Sequence, residues 1–334
     1  MQVKMYIFDQ LPVHDTCWSI ITGADNHIYI AACCEYIGGM GAFLVRFNTQ
    51  KKQLEYLLDI AEAVNQPPDN GRATQCKVHY SLLSSLDGVI YGATHLSSPG
   101  KGERFFSPWH CWKDEKRGFP GSMLFAFDPT HEKLLFYDCI APNEGCRCLA
   151  IDQNRGILYG ITYPRNYFFY YDLEKRKSVE VGRIGNVNPQ AIFLDHRNRA
   201  YTNYDYGQLI RFDIDKGDFE ELDVRVPHAP YQDGLHTILY DVVKIPGENA
   251  VFGVPWSTDP HLFKYTFDEK NGPGKMEDLG PTTSFNREGF RISRIQTDHT
   301  GGLVIGKDDL LYYCANFPCE RRVNTKRQGV DNIT

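Results

Sequence analysis

Short apolar runs separated by polar turns recur along the whole chain, in the same order each time. An apolar strand meets a polar turn, then a strand of the form xIYG, then one of the form LFxFD followed by charged residues. ADNHIYIAA with FLVRFNTQKKQLEYLLDI is one copy, and LDGVIYGAT with MLFAFDPTHEKLLFYDCI is the next. NRGILYGIT with YFFYYDLEKRKSVEVGRI follows, then RNRAYTNYDYGQLIRFDIDKGDFEELDV, then NAVFGVPW with HLFKYTFDEKNGPGKMEDLG. TGGLVIGKDDLLYYC is a sixth copy, short of a final strand. Four short strands per copy, at a period of roughly 40 to 65 residues, predict a β-propeller. A β-sandwich would not produce so regular a repeat.

The expected fold is therefore all-β: a propeller of six detectable four-stranded blades, or seven if one is degenerate, forming a single domain over 1–334. VKMYIFDQL at the N-terminus alternates like a strand and belongs to no other copy. It is expected to complete the last blade and close the ring, removing an exposed sheet edge. A poorly structured tail is expected from about residue 318. One insertion, residues 96–121, separates the second and third strands of blade two, and a loop of that length is usually functional or mobile.

Composition adds to this picture. Of the 334 residues 13% are aromatic, with 20 Tyr and 20 Phe, which favours strands. The net charge of −6 gives no global basic surface for nucleic acid or membranes. No signal peptide and no long apolar run is visible, so a cytoplasmic location with reduced thiols is expected for the ten cysteines. None of them forms a CxxC pair, and there is no GxSxG elbow, P-loop or HExxH.

Candidate chemistry emerges from register. Superposing blades two and three on their turns, Asp87-Gly88 on Arg155-Gly156, places His79 on Arg147 and His95 on Tyr163. Each pair is symmetric about its turn, so each is expected to face across its hairpin. Blade one has Cys17 and Cys33 at these positions, blade four Pro189 and Asp205, and blade five Trp256 at the second. Lys77, Tyr80, Arg165, Gln190 and His236 are further candidates for binding, with Arg72 from the preceding loop and Trp109 and Trp112 from the insertion. For each alone, a solvated or structural role is the simpler reading, since strand ends meet water and loop aromatics pack.

Together the four suit proton abstraction beside a carboxylate. An arginine clamps the carboxylate, a histidine takes the proton, and a tyrosine or histidine protonates the leaving oxygen. An arginine or protonated histidine would neutralise the charge of the enediolate-like transition state. No carboxylate pair accompanies them, which disfavours a two-acid glycosidase. No cofactor is called for; a divalent ion on His79, His95 and His236 stays open.

KVHYSLL…DGVIYGATH, followed by CRCLAID…GILYGITYPRNYFFYYDL, resembles the propeller-fold uronate lyases, which include ulvan lyases and rhamnose–glucuronate lyases. The resemblance is sharpest from Arg72 to Asp172. It implies β-elimination at a uronate in an anionic oligosaccharide, with His79 and His95 as the histidine pair and Arg147 as the carboxylate-neutralising arginine. Tyr163 is the matching tyrosine, with Tyr137 and Tyr80 also open. Those lyases are usually longer, seven-bladed and secreted. A non-catalytic propeller binding protein or sugar, and a rhamnosidase-type hydrolase, are the alternatives.

Overall fold

The computed structural model describes residues 11–35, 39–68, 71–96, 113–227, 237–256, 260–282 and 299–316. Residues 1–10, which contain the expected closing strand, and the tail after 316 lie outside the described residues, as do 97–112 of the insertion. By its contacts the chain divides into two compact units, Met1–Arg183 and Ile184–Thr334.

The first unit holds three four-stranded meanders. The first is β1 (Thr16–Thr22), β2 (Ile28–Cys33), β3 (Phe43–Asn48) and β4 (Gln53–Asp59), followed by the short helix α1 (Ile60–Ala63). The second is β5 (Lys77–Ser84), β6 (Ile90–His95), β7 (Gly121–Asp128) and β8 (Lys133–Pro142), so the insertion falls between β6 and β7 as expected. The third is β9 (Gly145–Asp152), β10 (Ile157–Tyr163), β11 (Tyr167–Asp172) and β12 (Lys177–Arg183). The second and third join through a parallel bridge between Tyr80 and Cys148, giving one eight-stranded sheet.

The second unit repeats the plan. It holds β13 (Phe193–Leu194), β14 (Ala200–Asn203), β15 (Gln208–Asp213) and β16 (Asp218–Arg225), then β17 (Ile238–Lys244), β18 (Ala250–Trp256), β19 (His261–Thr266) and β20 (Lys275–Pro281). A last pair, β21 (His299–Ile305) and β22 (Leu311–Asn316), completes the described strands.

Two features of the repeat explain its sequence signature. In the second strand, the glycine of xIYG or VFG makes room for a ring on the third strand. Gly92 pairs with Phe125, Gly160 with Phe169 and Gly253 with Phe263. A Cβ at any of the three would sit 2.3 Å from the phenylalanine Cζ. The acid or amide that ends the third strand caps the following turn through its side chain, as Asn and Asp commonly do. Asn48 accepts from the backbone N–H of Gln50 and Lys51, Asp128 from Thr130 and His131, Asp172 from Lys175, and Asp268 from Lys270 and Gly272. The turns that aligned the hairpins need positive φ, at Gly88 (92°) and Gly156 (64°).

The interiors of the meanders are apolar and aromatic. Tyr29, Leu44, Val78, Phe125 and Phe127 cluster in one core of the first unit, and Leu124, Leu158, Phe169 and Tyr171 in another. Tyr201, Leu239, Phe263 and Tyr265 centre the second unit.

Candidate functional site

The site is built by bulges in the first hairpin of each of the three meanders of the first unit. Exact hairpin symmetry would set His79 opposite His95, but β5 and β6 lose register between Val78 and Leu82, and His95 pairs with Lys77 instead. The same happens between β9 and β10: register shifts between Ile161 and Thr162, and Tyr163 pairs with Gly145 rather than Arg147. The expected direct cross-strand pairs are therefore corrected. A bulge leaves its extra residues outside the ladder and re-aims their side chains. In β5 the released segment finds new partners. Ser81 Oγ donates to the Ala93 carbonyl at 2.7 Å, Tyr80 bridges to Cys148 of β9, and Ser19 Oγ donates to the His79 carbonyl.

The bulged residues converge all the same. Four rings lie in sequence: Trp18, His79, His95 and Tyr163. Trp18 stacks on His79 with centroids 4.8 Å apart, His79 meets His95 at 5.2 Å, and His95 stacks on Tyr163 at 5.0 Å. Tyr80 stands edge-on to His79 at 4.9 Å. Each end of the stack carries a cation. Lys77 Nζ lies 3.9 Å from the Trp18 ring centre, and the Arg147 guanidinium lies 5.1 Å from that of Tyr163.

Hydrogen bonds fix the tautomers. His79 Nδ1 is 3.0 Å from the Arg147 carbonyl oxygen, and His95 Nδ1 is 2.5 Å from that of Leu96. A carbonyl only accepts, so both Nδ1 atoms carry hydrogen and both Nε2 atoms are left as bases. His95 Nε2 lies 3.5 Å from Arg147 Nη1. Burial holds both histidines well below the ordinary imidazole range. The positive charges of Arg147 and Lys77 push both further down, and His95 adds to the push on His79. Both rings are therefore neutral near pH 7, and the positive charges of the cluster are those of Arg147 and Lys77.

Lys77 is only 3% exposed. Its ammonium pairs with Glu35 at 2.8 Å, and Trp18 Nε1 donates to the other Glu35 oxygen at 2.7 Å. Burial pulls the Lys77 pKa down, and Glu35 partly restores it. Trp18 and Glu35 were missed from sequence, because aligning blade one without a bulge puts Cys17 at the site. The ladder of β1 and β2 shifts between Cys17 and Ser19, and the displaced residue is Trp18. The signal was available: a lone tryptophan beside the aligned position, between two residues of the strand.

The remaining candidates are placed elsewhere. Arg72 Nε donates to the Gly118 carbonyl at 3.1 Å, tying the segment before β5 to the end of the insertion. Arg165 pairs with Glu144 and lies over the Tyr167 ring, in a neighbouring cleft. Tyr137 is on β8, the edge strand of its sheet, and is not in the ring stack. Asp205, in the second unit, accepts from the backbone N–H groups of Asn186 and Val187 and serves a turn. Gln190 is buried in the second unit, where its N–H donates to the Leu239 carbonyl. His236, Trp109 and Trp112 lie outside the described residues. Among the described residues no group of three or more His, Cys, Asp or Glu is gathered to hold a metal. No helix among them is long and apolar enough to cross a membrane.

These features define an all-β protein built from propeller-like four-stranded sheets, with an acid–base cluster at one end of adjoining strands. No family model matches the sequence, and no curated protein matches it. Solved structures do. The extracellular domain of BT4673 from B. thetaiotaomicron superposes with a TM-score of 0.56 at 12% identity, covering 93% of this chain. This chain spans about a third of that one, 32%. Virginiamycin B lyase from Staphylococcus aureus superposes with a TM-score of 0.54 at 12% identity, covering 89% of this chain and 83% of that one. Kuenenia stuttgartiensis hydrazine synthase gives 0.51 at 11% identity, over 84% and 71%. At such identities the likeness is one of fold.

Proposed function

We propose that the protein is a carbon–oxygen lyase acting on uronate-containing oligosaccharides by β-elimination. The observation that carries this reading is the meeting of two neutral, tautomer-fixed histidines with Arg147, Lys77 and Tyr163 in one cluster. The substrate carboxylate docks on Arg147, with Lys77 as the second cation, so the charge that grows on deprotonation meets fixed positive groups. His95, whose Nε2 faces Arg147, takes the proton from C5 of the uronate. The C5–H electron pair becomes the C4=C5 double bond. The C4–O4 bond breaks, and the Tyr163 hydroxyl gives its proton to the departing oxygen. Tyrosinate and imidazolium then return to their resting states by proton exchange with water.

In this reading the repeats close as a ring of six blades, seven if one is degenerate, with the N-terminal strand completing the last. The cluster then sits at the mouth of the channel. A cytoplasmic enzyme would take oligosaccharides rather than polymers.

A second reading is a non-catalytic propeller that binds sugar or protein. It draws on burial: His79 and His95 are 1% and 2% exposed, as a purely structural stack would be. Incubation with a panel of uronate glycans, followed by ultraviolet absorbance of the unsaturated uronate, separates the two. Product formation that disappears in His95→Ala and Arg147→Ala supports the lyase. Wild-type protein silent across the panel overturns it.

A further inference from the structure

In the elimination the proton moves through His95 and Tyr163, which leaves His79 unused. Yet its ring is firmly fixed. Trp18 stacks on it at 4.8 Å, His95 meets it at 5.2 Å, and Tyr80 stands edge-on at 4.9 Å. The bulged backbone that carries it is tied down as well. Ser19 Oγ donates to the His79 carbonyl, and Ser81 Oγ donates to that of Ala93. Nδ1 carries its hydrogen toward the Arg147 carbonyl at 3.0 Å, so Nε2 keeps a lone pair. Nε2 has no hydrogen-bond partner among the described residues, and it is not sealed from solvent. His95 differs, since its Nε2 lies 3.5 Å from Arg147 Nη1. A nearly enclosed acceptor left unmet is costly, and a ligand donor at Nε2 relieves that cost.

We propose that His79 Nε2 accepts a hydrogen bond from a free hydroxyl of the substrate, and so restricts the site to uronates unsubstituted at that position. This rests on the lyase reading for the identity of the sugar. A neutral imidazole with its hydrogen on Nδ1 can only accept at Nε2. The hydroxyls of a uronate have protons to give, whereas its carboxylate, ionised near pH 7, only accepts and is met by the cations. The centres of His79 and His95 are 5.2 Å apart, a separation within one sugar ring. With C5 at His95, the hydroxyl is therefore one of those at C2 and C3. The opening is small, His79 being 1% exposed, so a hydroxyl fits where a methyl ether or an ester does not. A sulfate ester would also bring a second anion, with no proton to give, against a lone pair. Burial, with Arg147, His95 and Lys77 nearby, opposes the protonation of His79 that would accommodate it.

Deoxy sugars test this without adding bulk. Methyl glucuronoside has no sugar at O4 to expel, so its binding is measured by calorimetry without turnover. Its 2-deoxy and 3-deoxy analogues and its 2- and 3-O-sulfates are titrated in parallel. One deoxy analogue, and the sulfate at the same carbon, should bind about tenfold more weakly than the parent, the loss of one hydrogen bond. His79→Phe keeps a ring without an acceptor and should bind parent and deoxy analogue equally. His79→Gln sets an amide oxygen near the place of Nε2 and should restore part of the discrimination. If a variant fails to fold, the nitrogen-15 resonance of His79 Nε2 in the wild type reads the same bond. It should move further with the parent than with that deoxy analogue. Elimination is assayed separately by ultraviolet absorbance on longer uronate glycans. A protein that discriminates in binding but forms no unsaturated product loses the lyase reading and keeps this one. Equal binding of the parent and both deoxy analogues, tighter binding of the sulfates, discrimination that survives in His79→Phe, or no binding of any uronate overturns the proposal.

Discussion

Trp18 and His79 lie face to face, their ring centres 4.8 Å apart and their planes 18° apart. Both are bulge residues at the first strand of successive meanders, and Arg147 is the bulge residue of the next. The backbone defect that breaks the ladder is thus repeated, and each repetition delivers one side chain to the same cluster. Tyr240 sits at the corresponding register shift of β17 in the second unit, beside Trp256.

Arg147 is the first residue to test. Its guanidinium meets His95 and Tyr163, while its carbonyl holds His79. Arg147→Ala keeps the carbonyl and removes the charge. Under the lyase reading kcat/KM should fall by about 10²–10³, the usual effect of deleting one transition-state charge partner. The same substitution should raise both histidine pKa values, because Arg147 is among the charges that depress them. Imidazole proton shifts followed by NMR through a pH titration would show this. Unchanged titration would mean the guanidinium does not face the rings.

Tyr163→Phe separates the ring from its hydroxyl. The stack on His95 needs only the ring, so the melting temperature should barely move. If the hydroxyl protonates the leaving oxygen, kcat should fall by about 10²–10⁴. The loss should shrink for substrates whose leaving group needs no proton. Equal losses on good and poor leaving groups would remove Tyr163 from the acid role.

Stability should depend on pH through the histidine pair. Unfolded histidines titrate at about 6.5, and the folded pair titrates well below that. Below about pH 6.5 the unfolded chain binds more protons, so stability is lost as pH falls through this region and is fully present above it. The slope should approach about 1.4 kcal/mol per pH unit for each histidine. Urea unfolding of wild type and His79→Gln at a series of pH values would measure it, the variant giving the shallower acid limb. Parallel limbs would show that His79 titrates alike in both states.

Much of this fold could be read from one sequence because its signals are local. The glycine under a phenylalanine, in three of the meanders, and the Asn or Asp closing the third strand are short-range needs that recur along the chain. The strands, the hairpin turns and the place of the insertion follow from them. The cluster was half legible. His79, His95, Arg147 and Tyr163 meet as the register suggested, but by bulges and not as direct pairs. A bulge changes which residue faces the site without changing composition or length, so Trp18 hid behind Cys17. Glu35 was hidden for another reason. It follows the end of β2, and only the fold brings it to Lys77, on a strand that begins 42 residues later.

The Glu35–Lys77 pair gives the sharpest energetic prediction. Lys77 is nearly enclosed, and its counter-ion is Glu35. Glu35→Gln leaves a buried ammonium without its partner and should cost about 3–5 kcal/mol. Lys77→Met alone should cost less, since it removes the enclosed charge and leaves Glu35 still accepting from Trp18. The double variant Glu35→Gln, Lys77→Met should recover most of the Glu35→Gln loss, because two neutral groups of similar size need no charge compensation. Chemical denaturation of the four proteins forms a complete cycle, and a coupling energy near zero would show that the pair is not formed in solution. Activity distinguishes a second part for the same lysine. If Lys77 shares the substrate carboxylate with Arg147, the double variant should be stable yet raise KM for uronate substrates. If Lys77 only anchors Trp18, the stable double variant should keep its KM.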